Sequence, residues 1–330
     1  MSSQKTPVEK LAFDRENVRD RLILVDGHAL IYRAYHAFPE LTDHTGMLVN
    51  AVYGFTRILL TTIRDFHPEY LAVCFDSKEK TKRAEEFEAY KANRPEMPDD
   101  LKPQIEIIKS VVTALNIPQF AHPGLEADDL IGSFSTQLYE KNPDEQPLTI
   151  VLTGDKDLLQ LVDDNVHVFI PARSKTRGDI EYDAQTVQRQ IGLRPDQIVD
   201  MKALMGDASD NIPGVKGIGP KTAVALLQLR QTLDGVYASA EEIEKSGAYV
   251  APFTKSVVAK LVVDKTQAYQ SQKLATIQRD HHLDFKLETC KVSSYNKEEA
   301  VKILQQYDFR SLISLLPRDS FEVGVQAALF

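Results

Sequence analysis

The sequence predicts an α/β fold with a mostly parallel central sheet flanked by helices, followed by a helical lobe. Apolar runs rich in β-branched residues, typical of strands buried on both faces, occupy 21–26, 70–76, 148–155 and 166–171. Helical patterns lie between these runs, at 28–38, 50–66, 101–115 and 126–140. Strand alternating with helix favours a parallel sheet that helices cover on both faces.

Changes in these patterns divide the chain into four predicted parts. Residues 1–20 are polar and mixed in charge and form an extension. Residues 21–190 form the α/β domain, which includes a strongly charged segment at 77–100. A helical lobe covers 191–293, and closing helices with a linker-like tail cover 294–330.

Composition indicates an ordinary water-soluble protein. The chain has 330 residues, of which 43% are hydrophobic and 26% charged, enough for a large core in two lobes. No apolar run approaches the roughly 20 residues of a membrane span, and the N-terminus lacks a signal-peptide pattern. Cys74 and Cys290 make no disulfide framework. We therefore expect a cytoplasmic protein of bacterial type with no membrane partner.

Three of the predicted strands end in aspartate, at Asp26, Asp76 and Asp155. Asp157 follows in the loop TGDKD. One aspartate after a strand is commonly a turn residue. The same feature after three parallel strands instead indicates a carboxylate cluster at the carboxyl edge of the sheet, where ligands of such sheets bind.

The stretch PGLEADDLIG places Glu126, Asp128 and Asp129 at the start of the predicted helix 126–140. Acids in a first helical turn commonly cap free N–H groups, and this alternative stays open for the isolated stretch. Held close together without counterions, the predicted carboxylates would cost several kcal/mol. Hard divalent cations, which prefer oxygen ligands, resolve that cost. Asp207 and Asp210 in MGDASDN fit an Asx turn and a metal site equally well.

The stretch GVKGIGPKTA (214–223) is not a dinucleotide-binding loop, because its glycine order differs and no strand precedes it. It lies between helical patterns at 196–205 and 220–229, which predicts a helix–hairpin–helix. Free N–H groups of the second helix, with Lys216 and Lys221, would bind a DNA backbone without reading its sequence. The formal net charge of −9 argues only mildly against this partner, since binding surfaces are local.

The charged segment 77–100 has two interpretations. A solvated, mobile connection is the simpler one. The other is an arch over the acidic pocket, in which basic groups meet phosphates. Tyr90, Lys91 and Arg94 are its best candidates, and Arg33 follows Asp26 by one to two helical turns.

Together these motifs resemble the 5′ nuclease (flap endonuclease) superfamily, and within it the N-terminal 5′→3′ exonuclease domain of bacterial DNA polymerases I. The resemblance runs from about Leu22 to about Pro317. It is carried by the stretches LILVDGHALIYRAYHAF, AVYGFTRIL, FDSKEKTKR, EAYKANR, GLEADDLIG, LTGDKDLLQL and MGDASDNIPGVKGIGPKTA. His28-Ala29 departs from the Asn-Ser that the family often shows, and we interpret it as a neutral substitution.

The resemblance implies a PIN-like nuclease fold and specific site residues. Two divalent ions, Mg²⁺ with Mn²⁺ as the alternative, would be held by Asp26, Asp76, Glu126, Asp128, Asp129, Asp155, Asp157, Asp207 and Asp210. We expect the first five of these acids to serve mostly one ion and the last four to serve mostly the other. Catalytic contacts to the scissile phosphate are expected from Arg33, Lys91 and Arg94. DNA contacts, with a K⁺ on hairpin carbonyls, are expected at Lys82, Arg83, Tyr90, Gly214, Lys216, Gly217, Gly219, Lys221 and Thr222.

The implied activity is hydrolysis of phosphodiester bonds near the 5′ end of DNA, at ends, flaps or nicks, for Okazaki primer removal and repair. We expect a monomer whose polymerase partner is either a separate chain or a missing C-terminal part. Three alternatives stay open: a structure-specific DNA-binding protein without turnover, a PIN-type ribonuclease, and a metal-dependent phosphatase.

Overall fold

The computed structural model describes residues 19–140, 146–172, 178–292 and 295–318. The predicted N-terminal extension lies outside the described residues up to residue 18, as does the predicted tail beyond residue 318. In the part that is described, a mostly parallel sheet flanked by helices is followed by a helical lobe. The predicted fold class is confirmed.

The sheet has six strands among the described residues: β1 Arg21–Asp26, β2 Tyr70–Cys74, β3 Gln119–Phe120, β4 Leu148–Leu152, β5 Val166–Ile170 and β6 Ile180–Tyr182. Their order is β3-β2-β1-β4-β5-β6; β1 to β5 are parallel, and β6 is antiparallel to β5. The four predicted runs form β1, β2, β4 and β5. The sequence does not predict β3 and β6, because two and three residues are too few to show a pattern.

Helices cover both faces of the sheet. They are α1 Gly27–Ala37, α2 Asn50–Phe66, α4 Lys102–Ala114, α5 Ala127–Tyr139 and α6 Ala184–Ile191, whereas the short α3 Lys82–Glu86 lies in the charged segment and packs near Tyr90. Side chains of β1 alternate between two cores, so Ile23 and Val25 pack with α1, α2 and α4. Leu22 and Leu24 pack on the opposite face with α5 and α6. Because both faces of β1 are buried, its residues 22–25 form a continuous apolar run, which Asp26 ends.

The helical lobe contains α7 Ile198–Met205, α8 Pro220–Arg230, α9 Leu233–Ser246, α10 Lys255–Val263 and α11 Lys265–Ala275. Helices predicted at 196–205 and 220–229 are confirmed as α7 and α8. The helical character predicted for the lobe at 191–293 holds only as far as Ala275, apart from a short 3₁₀ turn at Leu287–Cys290. The segment between them lies across α5 instead, where Phe285 stacks on Phe134 with ring centroids 4.5 Å apart.

The closing helices, α12 Lys297–Gln306 and α13 Arg310–Ile313, return to the α/β part. Leu304, Phe309 and Leu312 join the same core as α2 and α4. These two helices therefore stabilise the α/β domain. Within the described ranges, none of the helices has the length and apolarity needed to cross a membrane.

Candidate active site

The carboxyl edge of the sheet holds Asp26, at the end of β1, in a fixed position. One carboxylate oxygen accepts a hydrogen bond from the backbone N–H of Ala29 at 3.1 Å, which caps α1. The other accepts from the hydroxyl of Thr153, just beyond β4, at 2.9 Å. Burial, with the nearby charge of Asp76, raises the pKa of Asp26 to about 7. Asp26 is therefore an oriented carboxyl group whose charge needs a cation.

Asp76 and Asp155 lie at the same edge. The Asp76 carboxylate accepts from the backbone N–H of Ala127 at 2.8 Å, which joins the end of β2 to the start of α5. His28 accepts from the N–H of Asp76 through Nδ1 at 3.1 Å, and burial lowers the pKa of His28. His28 is thus a neutral imidazole held against the backbone of Asp76, and its interpretation as a neutral substitution stays a prediction. Asp155 accepts from the N–H of Asp157 at 2.9 Å, so the TGDKD loop is folded inward.

The acids at the start of α5 form both a helix cap and a compact group of carboxylates. Carboxylate oxygens of Glu126, Asp128 and Asp129 lie within 4.8 Å of one another. Glu126 and Asp129 form a reciprocal capping box. Asp128 takes no part in it, and its Oδ1 is buried without a hydrogen-bond partner. Burial and the two neighbouring carboxylates raise the pKa of Asp128 well above its usual range.

Six of the acids at this edge of the sheet face one cavity of about 340 Å³. Its acidic lining consists of Asp26, Asp76, Glu126, Asp128, Asp155 and Asp157. Lys91 and Arg94 line the same cavity. An all-oxygen donor set with an unpartnered buried oxygen fits a hard divalent cation. Six of the nine acids predicted as metal ligands are thus brought together.

The other three acids, Asp129, Asp207 and Asp210, do not line this cavity. The Lys202 ammonium contacts the carboxylates of both Asp157 and Asp207. Arg94 binds the carboxylate of Asp210. Lys202 is 5% exposed, and the sequence analysis missed it. The signal that could have found it is an inward-facing lysine on an apolar helix, five residues before Asp207.

Arg83 is predicted to contact DNA, but it is only 6% exposed and lies beneath the cavity. Its guanidinium donates to both carboxylate oxygens of Asp129, at 2.5 and 2.9 Å, and to Glu126 at 3.1 Å. It also donates to the carbonyl oxygen of Thr276 at 2.8 Å. The neighbouring Lys82 is exposed. Arg83 thus ties the charged segment to α5, and it leaves Asp129 occupied.

Arg83→Met is expected to lower the free energy of unfolding by about 3 kcal/mol, since removing one partner leaves buried carboxylates without their counterion. Urea unfolding followed by circular dichroism, in metal-free buffer, measures it. Lys82→Met is the matched control, because Lys82 is the exposed neighbour in the same helix. A loss no larger than that of the control would mean that the ion pair does not hold this segment.

The charged segment 77–100 is packed over the cavity, which favours the arch over a loose connection. Lys91 donates its backbone N–H to the Asp210 carbonyl at 2.9 Å. Side-chain amides of Asn93 and Asn211 donate to the backbone carbonyls of Ala208 and Ala89, each at 2.7 Å. These hydrogen bonds fix the charged segment 77–100 to the loop after α7.

Lys91 carries a positive charge at the lining of the acidic cavity. Its Nζ lies 2.8 Å from Glu126 and 3.8 Å from Asp210. Although burial acts to lower it, these carboxylates raise the pKa of Lys91, so the ammonium stays charged. Tyr90, predicted as a DNA contact, is instead buried, with its hydroxyl 3.2 Å from Glu126. Arg33 lines a neighbouring cavity of about 540 Å³ that shares Asp155 with the acidic cavity.

The predicted hairpin is built as a tight turn between α7 and α8. Gly214 and Gly217 have φ of 61° and 78°, and a Cβ at Gly214 would lie 2.1 Å from the backbone nitrogen of Gly206. Gly219 precedes α8, which has no side-chain cap. The predicted contacts Lys216, Gly217, Gly219 and Lys221 are exposed, Thr222 is half-buried and Gly214 is buried. The turn thus presents two lysines beside the start of a helix.

Comparison with known proteins places this architecture in a family. Residues 21–192 match the family described as 5′-3′ exonuclease, N-terminal resolvase-like domain, and residues 193–298 match 5′-3′ exonuclease, C-terminal SAM fold. A protein named DNA polymerase I from Caldicellulosiruptor bescii is 40% identical over 298 residues, covering 90% of this chain and 33% of that protein. The chain spans about a third of the length of such relatives.

Shorter relatives match over nearly their whole length. A protein named 5′-3′ exonuclease from Buchnera aphidicola is 36% identical, covering 89% of this chain and 93% of that protein. Among solved structures, the bacteriophage T5 flap endonuclease in complex with DNA and metal ions has a TM-score of 0.60 at 18% identity. That match covers 87% of this chain and 99% of the T5 chain, and it supports the fold. The chain belongs to the 5′-3′ exonuclease family.

Proposed function

We propose that this protein is a divalent-metal-dependent 5′→3′ exonuclease and flap endonuclease, which hydrolyses phosphodiester bonds near the 5′ end of DNA. The observation that carries the proposal is the cavity in which six carboxylates face Lys91 and Arg94. Anionic and cationic groups that line the same cavity suit a phosphate held between metal ions and basic side chains. Family membership and the name of the short relative, 5′-3′ exonuclease, support the direction of cutting.

The acidic and the basic residues of the cavity would have different roles. Asp26, Asp76 and Asp128, with the other acids of the cavity, would hold the ions. Bound there, divalent ions would supply an activated water and stabilise the leaving oxygen. Lys91 and Arg94 are held in place by Glu126 and Asp210, and they would balance the charge that develops on the phosphate.

The hairpin would grip the duplex from outside the cavity. Lys216 and Lys221 stand exposed beside the uncapped start of α8, where a backbone phosphate can bind without base readout. A K⁺ on the hairpin carbonyls is part of the proposal. The Gly214 and Gly217 carbonyls already accept hydrogen bonds from Gln267 and Lys260. At Gly214 an ion would add to the bond from the neutral amide, since a carbonyl oxygen has two lone pairs, whereas at Gly217 it would have to displace the Lys260 ammonium.

The cellular setting is also proposed. The ion would be Mg²⁺, and the substrates would be 5′ ends, flaps and nicks of primers removed in replication and of damaged DNA under repair. A polymerase activity would work beside the nuclease, as the names of the longer relatives suggest. We propose that the nuclease acts as a monomer in the bacterial cytoplasm.

Cleavage of a 5′-flap duplex labelled at both ends tests the proposal, with and without Mg²⁺. We expect Mg²⁺-dependent release of short 5′ products, lost in Asp155→Ala. Asp164→Ala, an exposed acid in the same region, is the matched control and should cut normally. The lengths of the products would distinguish exonuclease activity from cleavage of the flap. Tight flap binding without cleavage in Mg²⁺ or Mn²⁺ would make the protein a DNA-binding module, and preference for RNA would favour a ribonuclease.

A further inference from the structure

Lys202 is a buried cation inside the acidic edge. It lies on α7 of the helical lobe and is 5% exposed. Its ammonium donates to the carboxylate of Asp157, from the loop after β4, and to that of Asp207, at the end of its own helix. One lysine therefore links the helical lobe to the acids at the carboxyl edge of the sheet.

The charges around Lys202 are unequal. Asp157 and Asp207 contribute two negative charges and the ammonium only one. The other donors to the Asp207 carboxylate, the backbone N–H and the hydroxyl of Ser209, carry no charge. The pair is thus partly neutralised without any metal ion.

The geometry also separates the two groups of acids predicted to hold ions. In the part of the chain that the structure describes, three carboxylates gather within 4.8 Å only at Glu126, Asp128 and Asp129. The predicted second group, Asp155, Asp157, Asp207 and Asp210, is not gathered in this way. Between Asp157 and Asp207 stands an ammonium, in the position of a cation that bridges the two carboxylates.

We propose that Lys202 is the resident cation of the Asp157–Asp207 pair and competes with a divalent ion for these two carboxylates. This inference rests on the proposed function, because it takes the acids to be metal ligands. An ion can use the pair only when the ammonium moves away, so Lys202 weakens ion binding there. In exchange, the lysine keeps two acids oriented and the helical lobe attached when no ion is bound.

Ion binding without DNA tests the inference. Mn²⁺ is titrated into the full chain by calorimetry and by electron paramagnetic resonance. Lys202→Met keeps the side-chain length and removes the charge. We expect it to gain one Mn²⁺ per chain, or to bind Mn²⁺ about tenfold more tightly, because the competitor is gone. Lys202→Arg, which keeps the charge, should titrate like the wild type.

Lys265→Met is the matched control, since Lys265 pairs with Glu241 on the helical lobe at 2.6 Å, and it should titrate like the wild type. Unchanged or weaker Mn²⁺ binding in Lys202→Met overturns the inference. Should that variant unfold without ions, Mn²⁺ is expected to refold it, as seen by circular dichroism, and failure to refold also overturns the inference. A wild-type chain that binds no Mn²⁺ and cuts no flap would instead refute the proposed function.

Discussion

Replacing Asp128 by asparagine is expected to lower the single-turnover rate of flap cleavage about 1,000-fold, as the loss of a charged metal ligand commonly does. Asp128 lines the acidic cavity, and its Oδ1 is buried without a partner. Asparagine keeps the shape and removes the charge that a divalent ion needs. Rapid-quench measurement with saturating enzyme and Mg²⁺ gives the rate.

The same substitution is expected to stabilise the metal-free protein. The pKa of Asp128 is raised by burial, then by Asp129 and Glu126, so folding favours the protonated form. A carboxyl with a raised pKa destabilises the fold increasingly as pH rises above its usual pKa of 3.8. The gain from Asp128→Asn should therefore be small near pH 4 and larger at pH 8. Thermal unfolding in EDTA at several pH values measures it.

Asp129→Asn is the informative contrast, because Asp129 is paired with Arg83 and caps α5. It should destabilise the metal-free protein, since it removes the partner of a buried arginine. If Asp128→Asn stabilises the metal-free protein and Asp129→Asn destabilises it, the results indicate that Asp128 is a metal ligand and Asp129 a structural residue. If Asp128→Asn cuts at the wild-type rate, or is itself destabilised, Asp128 is not a ligand.

The position of the acidic cavity could be predicted from the sequence, because the cause is topological. Strands β1, β2 and β4 are parallel neighbours, so acids at their carboxyl ends must meet. The different environments of Asp128, which lines the cavity, and Asp129, which binds Arg83, could not be predicted in the same way. Successive side chains on a helix point about 100° apart, so one of the two acids faces the cavity while the other faces the protein. Only the three-dimensional structure shows which.

The buried cations escaped prediction for a related reason. Arg83 stands in a charged stretch and reads as a surface residue, yet its partners Asp129 and Thr276 lie 46 and 193 positions away. Lys202 meets Asp157 across 45 positions. A basic residue among acids has the same local pattern whether it meets solvent, phosphate or a buried carboxylate. The deciding contacts are long-range, and sequence spacing does not contain them.

Lys91→Ala is expected to lower the single-turnover rate roughly 100- to 1,000-fold while changing the Kd for flap DNA less than about threefold. The ammonium is fixed 2.8 Å from Glu126 and lines the cavity, where charge develops on the phosphate. Rapid-quench kinetics gives the rate, and binding in Ca²⁺ gives the affinity. Lys102→Ala is the matched control, since Lys102 pairs with the exposed Asp99 outside the cavity.

Lys216→Ala should weaken DNA binding without lowering the cleavage rate, because Lys216 is exposed on the hairpin and does not line the cavity. Its Kd should rise with less dependence on salt concentration, since one phosphate contact is lost, while the rate at saturating enzyme stays unchanged. If Lys91→Ala lowers only the cleavage rate and Lys216→Ala weakens only DNA binding, the charged segment acts in catalysis and the hairpin in DNA binding. A large loss of affinity in Lys91→Ala at an unchanged rate would instead make Lys91 a DNA anchor, and the cavity would then depend on its metal ions alone for charge stabilisation.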